Sequence, residues 1–141
     1  MSEMQHHAHG VLGIEAEFEK IGVLFAGPTR PGEHAQMHVS LSVRNNSAAA
    51  IPFTFKTTQR FEIELVDASG TVRARWSDGK VFSQVVTTQE LAPHSSWRFH
   101  DALIIPGRAD NGPEGDCMVR VYVTADKRPG AQSPLHITHA P

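Results

Sequence analysis

Cysteine is almost missing from this chain. Cys117 is the only one in 141 residues, which excludes an internal disulfide and a thiolate-rich zinc site. Long apolar runs are missing too. None approaches the ~18 residues of a membrane-crossing helix, and the amino terminus, MSEMQHHAHG, lacks the basic start and apolar stretch of a secretory signal. A cytoplasmic protein is expected. Charge of one sign is also lacking: 13 Lys plus Arg stand against 15 Asp plus Glu, a formal net charge of −2. No basic field is available to neutralise phosphates, so neither a nucleic acid nor a membrane is expected as partner. There is no Gly-x-Ser-x-Gly elbow, phosphate-cradling glycine loop or His-Glu-x-x-His pair. The chain is therefore expected not to be an enzyme and to carry no cofactor.

What is present is the alternation of half-buried strands. Hydrophobic residues make up 40% and charged residues 20% of the chain, a balance that favours a folded domain over disorder. Residues 1–10 read as a flexible, histidine-rich tail and residues 11–141 as one domain. Ile14, Ala16 and Phe18 share a face, and Ile21, Val23 and Phe25 form a second set after a register shift. Met37, Val39, Leu41 and Val43 alternate with His38, Ser40, Ser42 and Arg44, the period of a strand with one wet face. Ile51, Phe53 and Phe55 make a short strand, with Pro52 suggesting an edge or strand start. Cys117, Val119, Val121 and Val123 alternate, which places the cysteine on an apolar strand face as a small buried hydrophobe. Residues 106–116, PGRADNGPEGD, are an exposed loop, residues 127–132 another, and Leu135 and Ile137 offer a last short strand. Seven to nine short strands without helical period mean an all-β fold, read here as an immunoglobulin-like antiparallel β-sandwich. The antibody Cys-Trp-Cys signature is absent, so the term describes architecture only.

The segment with most information runs from Gln59 to Gln84, QRFEIELVDASGTVRARWSDGKVFSQ. It reads as strand, turn, strand, turn, strand, with Asp78-Gly79 at the centre of the second turn. Together with Asn46-Ser47, Phe53, Phe55 and Leu91-Ala92-Pro93, this segment resembles the BsuPI family of intracellular proteinase inhibitors. The residues that carry the resemblance are Gln59-Arg60-Phe61-Glu62, Gly70 and the run Arg75-Trp76-Ser77-Asp78-Gly79-Lys80-Val81-Phe82-Ser83-Gln84. It runs from Asn45 to Phe99. Departures fall at Ala74, where the family commonly has an aromatic, at His94-Ser95, and at Gly115-Asp116-Cys117. The resemblance implies a β-sandwich that reversibly occludes a subtilisin-type serine protease with one of its loops.

Two readings of the corner stand side by side. In one, Trp76 and Phe82 flank the turn only to fix hairpin register, and Gln59 and Gln84 tie adjacent loops through their amides. In the other, Arg75, Trp76, Ser77, Asp78, Gly79, Lys80, Val81 and Phe82 present a partner-binding surface, with Gln59, Phe61 and Gln84 as support. A second candidate loop is Leu103-Ile104-Ile105-Pro106, whose simpler reading is a strand end. His6, His7 and His9, with Met1 and Met4, are metal-binding residue types, though flexible tracts bind without an evolved role, and no metal site is assigned. His34 with His38 and His136 with His139 read as solvated surface. Arg73, Arg75, Arg98 and Arg120 are read as cross-strand partners of acids such as Glu62 and Glu64. The alternative to inhibition is a non-inhibitory interaction or regulatory module on the same fold.

Overall fold

The computed structural model describes residues 3–141. Eleven strands form in chain order: β1 (Glu3–His9), β2 (Leu12–Phe18), β3 (Gly22–Phe25), β4 (His34–Asn45), β5 (Ile51–Phe55), β6 (Phe61–Val66), β7 (Val72–Arg75), β8 (Thr87–Leu91), β9 (Ser96–Pro106), β10 (Gly115–Val123) and β11 (Gly130–His139). One 3-10 turn at Arg108–Asp110 is the only helical element among the described residues. No helix there is long and apolar enough to cross a membrane.

The strands build a four-stranded sheet, β1-β2-β4-β9, and a five-stranded sheet, β3-β11-β10-β6-β7. Alternation decides which face each presents inward. In β4 the buried set is Met37, Val39, Leu41 and Val43, and in β10 it is Cys117, Val119, Val121 and Val123. The inner faces of both sheets meet in one cluster, where Phe18, Met37 and Leu103 join Ile63, Leu135 and Ile137. This is an all-β sandwich. A two-stranded ribbon, β5-β8, is held to it by Phe53 and Phe55, both fully buried. The Phe53 ring lies 4.9 Å from that of Trp97, and the Thr54 N–H donates to Asp126 Oδ1 at 2.8 Å.

At the end of β4, Asn45 is fully buried and knots three segments together. Its amide donates to the carbonyls of Ala49 and Leu91 at 2.7 and 3.0 Å, while its Oδ1 accepts from the Ser47 N–H at 2.9 Å. A buried amide is stable only with such partners. The strand-end asparagine that matters is therefore Asn45; Asn46, which carries the sequence resemblance, is exposed.

Several expectations change. There are eleven strands rather than seven to nine; the additions are β1, which pairs with β2, and β8, which pairs with β5. One pair, β3 with β11, is parallel. The segment read as a loose tail contains β1, paired antiparallel along β2 from Glu3 opposite Phe18 to His9 opposite Leu12. The 127–132 loop ends early, since β11 starts at Gly130, and the last strand is ten residues long rather than short. The third strand expected after the corner does not form: residues 80–86 are irregular.

Candidate functional site

The corner starts where β6 and β7 run out. The Trp76 N–H donates to the Ile63 carbonyl at 2.8 Å, the last rung of the pairing. Two turns follow, closed by Asp78 N–H to Arg75 O at 3.1 Å and Lys80 N–H to Ser77 O at 3.0 Å. Gly79 sits in the second with φ +78°, a backbone state that glycine adopts without steric cost. The Asp78 carboxylate folds back to accept the Arg75 N–H at 2.9 Å.

Glu62 locks this arrangement from beneath. It is only 5% exposed, so its carboxylate must be satisfied by protein donors. Those donors are Ser77 N–H at 3.1 Å, the Ser77 hydroxyl, Gln59 Nε2 at 3.1 Å and Ile63 N–H at 3.0 Å. Gln59 Nε2 also donates to the Phe61 carbonyl at 2.8 Å. The Gln-x-Phe-Glu and Trp-Ser pieces of the sequence are thus the two halves of one buried hydrogen-bond network.

Above the network runs an aromatic row. Phe99 lies 5.2 Å from Phe61, Phe61 stacks on Trp76 at 4.2 Å, and Trp76 lies 6.0 Å from Phe82. The Lys80 ammonium sits 4.8 Å from the Trp76 ring centroid, a cation–π distance. Among the described residues the Trp76 indole N–H is buried with no partner, which costs about 1–3 kcal/mol. A position that keeps such a cost is often functional.

The row supports an exposed strip. Val81 is 96% exposed, Val85 51% and Val86 68%. Between them Phe82 is half-buried on Trp76, and Ser83 exchanges two hydrogen bonds with Thr58: Ser83 N–H to Thr58 Oγ1 and Thr58 N–H to Ser83 O, both 3.0 Å. The N–H groups of Val81, Phe82, Gln84, Val85 and Val86 bond to no described residue. The strip is held at both ends and in the middle, yet its main chain stays open.

The expected corner residues thus come together, with Gln84 as the exception. It is exposed and ties no loop; Ser83 makes that connection instead. Glu62 was read as an outward strand residue and is buried, because Gln59 and Ser77 cover it. Glu64 does pair with Arg75, at 3.3 Å, whereas Arg73 pairs with Asp67 at 3.1 Å. Leu103 and Ile105 are fully buried in β9, which is paired with β4 as far as Pro106, so residues 103–106 are strand and not loop. Cys117 is 6% exposed, and burial pushes its thiol pKa up. His38 stacks on His100 at 5.8 Å and His136 bonds to Asp116 at 2.8 Å. Among the described residues no group of three or more His, Cys, Asp or Glu is placed to hold a metal. The side chains of Met1, Met4, His6, His7 and His9 lie outside the described residues.

Residues 28–127 match the family model described as BsuPI, intracellular proteinase inhibitor. No curated protein sequence matches the chain. Among solved structures, the fold is similar to Spo0M, the sporulation control protein from Bacillus subtilis, at TM-score 0.54 and 12% identity, covering 92% of this chain and 50% of that one. The chain thus spans about half the length of that neighbour. A β-glucosidase from Erythrobacter marinus is similar at TM-score 0.43 and 14% identity over 96% of this chain and 15% of its own.

Proposed function

The chain belongs to the BsuPI family of intracellular proteinase inhibitors, and from that premise we propose that it reversibly occludes the active site of a subtilisin-type serine protease with residues 77–86. It does so in the cytoplasm, as a binding protein without catalysis or cofactor. A protease cleft takes an extended segment by strand addition, with main-chain hydrogen bonds for affinity and side-chain pockets for choice. The observation that carries the reading is the strip 80–86, in which the N–H groups of Val81, Phe82, Gln84, Val85 and Val86 bond to no described residue while Lys80, Phe82 and Ser83 are pinned to the body. Pinning matters because ordering a loose loop on binding reduces affinity. With one cysteine in the chain no disulfide can do this, and the Glu62 network and the aromatic row take that role.

The test is a titration of the purified protein against a panel of serine proteases hydrolysing small peptide substrates. Inhibition is expected, and exchanging residues 80–86 for Gly/Ser should abolish it in a chain that still unfolds in one cooperative transition. Lack of inhibition at micromolar concentration across the panel would leave the non-inhibitory interaction module as the reading.

A further inference from the structure

We infer that Val81 is the side chain that fills the protease's primary specificity pocket, and that the target is a protease whose pocket is shallow and aliphatic; this rests on the inhibitory reading of the strip. Val81 is 96% exposed, more than any other large apolar side chain described. Its two neighbours are engaged elsewhere. The Lys80 ammonium lies over Trp76 at 4.8 Å, and Phe82 packs on the same ring at 6.0 Å. Val81 therefore projects alone from a backbone fixed on both sides. Val85 and Val86, at 51% and 68% exposed, lie beyond the Ser83–Thr58 clamp, next to β8, and are placed for flanking contacts.

The chemistry of a valine narrows the pocket. A pocket with a carboxylate at its base would be left with a buried charge and no partner. A deep aromatic-sized pocket would be underfilled, and each missing methylene weakens discrimination. A short aliphatic pocket buries the whole valine and nothing polar. Lys80, although basic and adjacent, lies over the Trp76 ring at 4.8 Å and would have to leave that contact to act as the anchor.

Inhibition constants against elastase, trypsin, chymotrypsin and subtilisin test this, using the full chain, Val81→Gly, Val81→Arg and the Gly/Ser exchange of residues 80–86. Val81 is solvent-exposed, so its variants should keep the native melting temperature. The natural chain should act best on the proteases with aliphatic pockets. Val81→Gly should weaken that inhibition at least about thirtyfold, the scale of a hot-spot residue, and Val81→Arg should move inhibition toward trypsin. If Val81→Gly inhibits within twofold of the natural chain while the 80–86 exchange abolishes inhibition, the strip is reactive and Val81 is not its anchor. Strongest inhibition of trypsin by the natural chain overturns the pocket assignment equally. No inhibition of any protease removes both this inference and the reading beneath it.

Discussion

Replacing Glu62 with alanine should loosen the corner more than any surface change can. The carboxylate receives Ser77 N–H, the Ser77 hydroxyl, Gln59 Nε2 and Ile63 N–H. A hydrogen bond to an ionised acceptor contributes about 1.5–3 kcal/mol. Ser77 and Gln59 are half-buried, so both recover some water when the acceptor goes. The net loss should be about 3–5 kcal/mol, a large share of the roughly 5–15 kcal/mol that holds a domain folded. With a urea slope of about 2 kcal/mol per molar, the midpoint should fall by about 1.5–2.5 M at unchanged slope. Glu62→Gln keeps one acceptor oxygen and the shape, and should cost about 1–2 kcal/mol. Urea unfolding followed by tryptophan fluorescence reads all three proteins. A loss under about 1 kcal/mol for Glu62→Ala would refute the idea that this carboxylate organises the corner.

Other expectations follow from single observations. Gly79→Ala meets nothing within 4 Å and suffers only the φ of +78°, so its unfolding free energy should drop by about 1–2 kcal/mol. The Asp67 carboxyl, held to about 2 by the Ser69 hydroxyl and then the Arg73 guanidinium, should titrate near that value by NMR. Because its folded-state pKa is lowered, its stabilisation is present above the ordinary 3.8 and disappears as pH falls through about 2. Asp67→Asn should flatten the stability profile in that window and leave neutral pH behaviour without this slope. Cys117, buried and with its thiol pKa raised, should resist thiol reagents in native buffer and react fully in urea; rapid stoichiometric labelling of the native protein would contradict its placement.

The fold was legible wherever polar and apolar residues alternate. Met37 to Val43 and Cys117 to Val123 are buried as their period requires. Pairing partners were not legible, since nothing local in β3 announces its parallel match with β11. The corner was recognisable from Trp76-Ser77-Asp78-Gly79, but its lock was not. Glu62 alternates with Phe61 and Ile63 as a wet strand residue would, and only the tertiary approach of Ser77, fifteen positions on, buries it. The open strip was half visible. Val81, Val85 and Val86 stand in a stretch with little alternation, a signal for an exposed apolar segment, yet Phe82 and Ser83 gave it the look of a third strand. Ser83 does bond to Thr58 through its backbone, and that pairing stops after one residue.

Hydrogen exchange on a complex with a catalytically inactive subtilisin-type protease tests the central claim most directly. In the free chain the amides of Val81, Phe82, Gln84, Val85 and Val86 have no described partner and should exchange fast. Strand addition in the cleft should protect amides in this strip selectively. A complex that forms while those amides exchange as fast as before would contradict the claim.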